Sequence, residues 1–185
     1  RTVREAMRDK ELLIADGHHR YETALAYAAE RGTDEAARLP VVLVSTDDPG
    51  LEIFATHRVF DRVLEVDAEP RDDVEAAVAE LAQLPYDRSA AVVRTYRRLG
   101  LLRGETGELD VQLADRFGAE GVAYTPDWHD AVGRVERGEA ATAVVLRPTR
   151  IEDVFAVARR GEVLPQKSTY FFPKLLSGLL FHPVA

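Results

Sequence analysis

Cysteine is absent from the 185 residues, which excludes disulfides, thiolate nucleophiles and Cys-ligated zinc or iron–sulfur centres, and agrees with a reducing, cytoplasmic setting. No apolar run reaches the roughly 18 residues that span a bilayer, and nothing at the N-terminus reads as a secretory signal, so no membrane partner is expected. Positive charge is also short. Twenty-four basic residues against 32 acidic ones leave a net charge of −8, which repels a polyanion at long range, so nucleic acid is not an expected partner. Lysine is scarcest of the charged types, with Lys10, Lys167 and Lys174 beside 21 Arg. An initiator Met is missing too, and the chain is expected to be the C-terminal part of a longer protein.

What is present suits a folded protein: 46% of residues are hydrophobic and 30% charged, close to the globular average. Without repeats or a Pro/Gly/Ser linker, residues 1–185 are expected to form a single domain of mixed α/β (α+β) class, a small mixed sheet with flanking helices. Helix is expected at residues 2–9, from His18 to a stop at Gly32, at 71–83, at 109–117, from a Thr125-Pro126 start to about Arg137, and at 150–160. Buried strands are expected at 12–15, 41–44 and 140–146, a longer one at 52–60, and a hairpin joins 91–95 to 99–103. The aromatic and leucine-rich tail from Phe171 to Phe181 is expected to pack into the core.

The stretch Asp16-Gly17-His18-His19-Arg20 carries the most chemistry. A strand that turns through glycine into a helix leaves the first helical amides unpaired at the positive end of the macrodipole, a place that favours anions. His19 and Arg20 fall in the first turn, where two donor side chains can join those amides around a phosphate or carboxylate. Cations there oppose the dipole by about 0.3–1 kcal/mol each, and a bound anion reverses that sign. Asp16 can cap the helix or orient a divalent cation that accompanies a phosphate. The plain alternative is a capped turn with solvated polar residues. A protein-held metal, with Asp16, His18 and His57 or His129 as ligands, lacks the usual His-x-x-x-His spacing and is not expected.

These residues resemble a known family. Residues 14–25, Thr56-His57-Arg58, Leu146-Arg147-Pro148-Thr149 and the run from Pro165 to Leu175 look, in that order, like the C-terminal half of the uncharacterised bacterial and archaeal proteins called domain of unknown function 1015. The resemblance extends from residue 14 to residue 182. It implies that an N-terminal half is missing here and would be a partner. The turn is also similar to the Gly-Cys-His-Arg signature of sulfiredoxin and to the phosphate-binding motif of ParB-like proteins and ParB-type free serine kinases. That likeness implies a ParB/sulfiredoxin-like fold around the turn, Gly17 as the close-approach residue, and His19 and Arg20 as phosphate ligands. His18 stands where sulfiredoxin has its reactive Cys, so thiol chemistry is unavailable.

Other candidates lie further along. Lys167, Ser168, Thr169 and Tyr170 place an ammonium and three hydroxyls in succession, and an extended backbone would put Lys167 and Thr169 on one face and Ser168 and Tyr170 on the other. A retained Lys in an Arg-rich chain suits a phosphate or carboxylate, although the aromatic residues that follow could simply anchor the tail. Arg147 ends a strand where open α/β sheets place ligands. His57 reads as a satisfied structural histidine, His129 as a surface residue, and Asp47-Asp48-Pro49-Gly50 as a turn before a Mg²⁺ site.

Two functions follow. The first is a phosphotransferase or phosphate-handling enzyme, an ATP-dependent kinase or phosphatase-like protein acting on a small anionic molecule, with ATP or another nucleotide and Mg²⁺. Gly17, His19, Arg20, Arg147, Ser168 and Thr169 would bind the nucleotide, with Asp16, His18 and Lys167 catalytic. The second is a non-catalytic nucleotide- or anion-sensing module that controls association with the missing half or with a second copy as a homodimer.

Overall fold

The computed structural model describes residues 2–174, 176, 178 and 182. The chain divides into two compact units, Arg1–Glu52 with Pro173–Ala185, and Ile53–Phe172.

The first unit is helical where it is regular. Helix α1, Val3–Met7, starts in a capping box: the Thr2 hydroxyl accepts from the Glu5 amide, and the Glu5 carboxylate accepts from the Thr2 amide. Helix α2, His18–Arg31, begins at Gly17 and stops at Gly32, both left-handed, with φ of 88° and 64°. The Gly32 amide donates to the Ala28 carbonyl, the usual left-handed glycine stop.

The strands expected at 12–15 and 41–44 do not form. Leu12 and Ile14, and all of Val41, Val42, Leu43 and Val44, are exposed and carry no strand ladder. Their composition suits buried strands, but a strand exists only through a neighbour that takes up its backbone groups. The turn at 47–50 is as expected, with the Asp48 carboxylate accepting from the Gly50 amide at 2.8 Å.

The second unit carries the sheet. Its strands are β1 (Glu52–Phe54), β2 (His57–Phe60), β3 (Glu69–Pro70), β4 (Arg88–Thr95), β5 (Leu99–Thr106), β6 (Val122–Thr125), β7 (Thr142–Val145) and β8 (Tyr170–Phe172). Its helices are α3 (Val74–Gln83), α4 (Asp110–Asp115), α5 (Trp128–Glu136) and α6 (Ile151–Arg159). Six strands run in the order β3-β5-β4-β7-β2-β6, and β1 pairs with β8 separately. Every pairing within the six-stranded sheet is antiparallel, so the α+β class holds and the sheet is antiparallel where a mixed one was expected.

Helices cover both faces. On one face Val111, Leu113 and Ala114 of α4 pack with Phe60, Ala91, Val93 and Val144. On the other, Ala77 and Leu81 of α3 and Val132 of α5 pack with Ala90, Val92, Leu101 and Val145. Neighbouring residues such as Val92 and Val93 thus point into different cores, which is why β4 and β7 read as unbroken apolar runs. The expected strand at 52–60 is interrupted at Ala55 and Thr56. The expected Thr125 cap is displaced: Thr125 closes β6 opposite His57, and Asp127 caps α5 through the His129 amide. In the tail Phe171 is buried, Phe172 and Leu176 are exposed, and Leu175, Leu179, Leu180 and Phe181 lie outside the described residues.

Candidate functional site

The turn at residues 16–20 builds its site from backbone first. The first intrahelical hydrogen bond of α2 runs from the Tyr21 amide to the Gly17 carbonyl, so the amides of His18, His19 and Arg20 come before it. Gly17 at the N-cap offers them no side-chain cap, and no acidic residue lies in the first turn. A helix start left in this state presents N–H donors and partial positive charge.

Gly17 has two reasons to be glycine. Its φ of 88° is left-handed, and a Cβ there would lie 2.9 Å from Nη2 of Arg20. The absent side chain lets the Arg20 guanidinium fold back across the turn, where Nη2 stands 3.9 Å from a carboxylate oxygen of Asp16. Lys174 Nζ reaches the same oxygen at 3.8 Å. One Asp16 oxygen thus has two cations within 4 Å, in an exposed setting. The rings of His18 and His19 lie 4.1 Å apart, and Nδ1 of His19 is 3.5 Å from the Glu22 carboxylate. Asp16, His18, His19 and Arg20 are all open to solvent.

The other candidates belong to the second unit. Arg147 is almost fully buried, with all five guanidinium N–H groups engaged. Nε and Nη2 donate to the two Asp110 carboxylate oxygens at 2.8 and 2.6 Å, Nη1 donates to the Leu84 and Pro85 carbonyls, and Nη2 also to Arg88. Burial by itself lowers its pKa, but the hydrogen bonds and charge of Asp110 outweigh that and raise it. The Tyr86 ring lies 4.2 Å from this guanidinium and 4.6 Å from that of Arg150. An anion-contact role for Arg147 would require one of these bonds to break. Because the sheet is antiparallel, the preference for ligands at parallel strand ends gives no reason to expect one there. The cavity beside Tyr86, Asp110, Arg147 and Thr149 measures about 10 Å³, room for about one water.

The backbone at Lys167 is not extended, so the shared face with Thr169 does not apply. Lys167 sits in a turn with φ of 58°, the one non-glycine residue in the left-handed region among the described residues. Ser168, buried, donates to the Pro165 carbonyl at 2.6 Å, and its own carbonyl accepts from the Thr149 hydroxyl at 2.9 Å. This pinned turn presents the exposed Lys167 at a cost of about 1–2 kcal/mol in backbone strain.

His57 is structural, in keeping with its reading from sequence: buried, it accepts the Leu146 amide on Nδ1 at 3.1 Å. Burial pushes its pKa down to about 4, against a smaller upward pull from Asp127. His129 is exposed and stacks on Trp128. Among the described residues no cluster of three His, Asp or Glu could hold a metal ion, and no helix is long and apolar enough to cross a membrane. Sequence reasoning missed Asp110, which lies 37 residues from Arg147 with no spacing signal to link them. It also left Arg58 without a role.

The model of the family described as "Protein of unknown function (DUF1015)" matches residues 1–147. No curated protein matches the sequence. Among solved structures, a conserved hypothetical protein from Pyrococcus furiosus is similar at 19% identity and TM-score 0.58, over 87% of this chain and 70% of that one. A free serine kinase in complex with AMP is similar at 19% identity and TM-score 0.56, over 85% of this chain and 66% of that one. A mutant of a free serine kinase in complex with ADP gives 18% identity and TM-score 0.57, again over 85% and 66%. The chain therefore spans about two thirds of the length of these structures, and likeness at such identities shows a shared fold.

Proposed function

The chain belongs to the DUF1015 family, and on that premise we propose that it binds a nucleotide through the turn at residues 16–20 and transfers a phosphoryl group to a small molecule. The observation that carries this reading is the uncapped start of α2, with Arg20 folded over a left-handed Gly17 beside Asp16 and Lys174. Three amides at a helix start, next to a guanidinium and an ammonium that share one carboxylate oxygen, suit a polyphosphate. The similar solved structures of free serine kinases with AMP or ADP support the nucleotide class, as does the likeness of the turn to phosphate-binding Gly-x-His-Arg motifs.

Chemically, the γ-phosphoryl of ATP passes to a hydroxyl of the small molecule, ADP leaves, and the hydroxyl proton goes to a base. A phosphate that draws Arg20 and Lys174 toward itself releases Asp16 from its two cations, and the freed carboxylate can take that proton. His18 is the second group able to do so. Mg²⁺ would arrive with the nucleotide, taking its oxygens chiefly from phosphates and water, with Asp16 the one nearby carboxylate in the turn itself.

The test is turnover. The protein is incubated with ATP and Mg²⁺, with and without hydroxyl-bearing amino acids and sugars, and ADP is measured. ADP release that rises with one acceptor supports the kinase. Nucleotide binding without turnover assigns the turn to a sensing module, and absence of nucleotide binding overturns the reading.

A further inference from the structure

The second unit holds two buried arginines treated in opposite ways. Arg147 has a carboxylate and a bond for every N–H. Arg58, at 2% exposure, has neither. Its Nη2 makes one long hydrogen bond, 3.4 Å to the Val111 carbonyl, and its Nη1 is buried with no partner among the described residues. No ion pair reaches it among those residues; the nearest aromatic contact is the Tyr124 ring at 5.8 Å. Burial pulls its pKa downward, opposed by Tyr124 and by Asp115 on the exposed side of α4. A guanidinium stays protonated regardless, so the fold encloses a positive charge that no carboxylate pairs with among the described residues, at a cost of several kcal/mol unless something offsets it.

Two positions earlier, Thr56 presents a second orphan: its hydroxyl is buried and has no hydrogen-bond partner among the described residues. Both lie where the chain leaves the break at Ala55 and Thr56 and enters β2. Buried polar groups are almost always satisfied. Two unsatisfied donors so close along the chain, one of them a full charge, match what an oxyanion needs: a cation and a neutral N–H or O–H donor.

We propose that Arg58 and Thr56 form a site for a small oxyanion, the carboxylate or phosphate group of a metabolite, at the start of β2 beside α4. The bound group neutralises Arg58, accepts from its free Nη1 and takes the hydrogen bond of the Thr56 hydroxyl. The site lies wholly within the second unit and does not depend on the nucleotide reading.

Thermal melting of the protein tests this in inorganic phosphate or acetate, each against sodium chloride of equal ionic strength. At least one oxyanion should raise the melting temperature above the chloride control. The rise should persist in Arg20→Ala, which separates it from phosphate bound at residues 16–20. Thr56→Val should require about tenfold more anion for the same rise, the loss of one hydrogen bond to a charged group. Arg58→Met should abolish the response and, without oxyanion, melt no lower than the parent, because the uncompensated charge is gone. Phosphate alone, acetate alone or both active would assign the ligand as phosphoryl, carboxylate or either. No rise with either anion, a rise lost in Arg20→Ala, or a rise undiminished in Thr56→Val would overturn the proposal. Should Arg58→Met fail to fold, Thr56→Val decides.

Discussion

Asp110 and Arg147 meet as a two-pronged ion pair, Oδ1 to Nη2 at 2.6 Å and Oδ2 to Nε at 2.8 Å, largely buried and tied to the backbone at both ends. The same carboxylate also accepts the amides of Ala90 at 2.8 Å and Arg147 at 3.2 Å. One side chain therefore joins the start of α4 to β4 and to the residues that follow β7.

Removing one partner leaves the other charge buried and alone, so Asp110→Ala should cost about 3–5 kcal/mol of stability. Urea unfolding measures it. A loss below about 1 kcal/mol would mean that the pair is dispensable to the fold.

His57 sets a pH dependence. Its folded pKa lies near 4, below the unfolded value of about 6.5, so between these values the unfolded chain binds the extra proton. The contribution is complete above pH 6.5 and fades as the pH falls toward 4, by about 3 kcal/mol in all. His57→Asn keeps an acceptor for the Leu146 amide but does not titrate. Its stability should be flatter across that window in urea titrations at stepped pH, and an unchanged slope would remove His57 as the cause.

If the proposed nucleotide site at residues 16–20 is right, ATP at 100 times its Kd should add about 2.7 kcal/mol of stability to the parent protein. Arg20→Ala should lose most of that response in a thermal-shift assay. Gly17→Ala should lose it too, since it forces a Cβ onto the guanidinium and strains a left-handed backbone, at about 1 kcal/mol of stability. A full ATP response in both variants would move the nucleotide elsewhere.

Gly104 faces the buried Ser89. A Cβ built there would lie 2.0 Å from the serine hydroxyl and 2.6 Å from the Glu108 carboxylate to which that hydroxyl donates. Gly104→Ala should therefore destabilise by about 1–3 kcal/mol, and calorimetric melting should show it. A neutral outcome would mean that the bulge between Arg88 and Ala90 can shift to make room.

Elements with a local signature were legible in advance. The hairpin around 96–98, the amphipathic α3 and α6, and the glycine-bounded α2 depend on nearby residues, and their spacing predicts them. Residues 12–15 and 41–44 have the composition of buried strands, yet they have no pairing neighbour among the described residues, and composition does not reveal whether a neighbour exists. β3 and β8 are too short for a periodic pattern. At the candidate site, His19 and Arg20 could be placed in the first helical turn because the glycine turn and the helix that follows it are local, whereas the contact between Arg20 and the space over Gly17 could not be read. Arg147 could be singled out but not understood, since Asp110 and the carbonyls that saturate it come together only through the tertiary fold. Arg58 is the converse: its missing partners show only once the packing around it is known.

The two-residue strand β3 gives the sheet a guarded margin. It is an outermost strand, it contains Pro70, which has no N–H to offer a newcomer, and Glu69 beside it is bound by Arg71 and Arg103, which also hold Glu80. A strand from another molecule that approached this side would find few open backbone groups and would have to displace a set of paired charges. Growth of the sheet by edge-to-edge stacking is therefore blocked on this side, and concentrated protein has one fewer route to fibrous assembly.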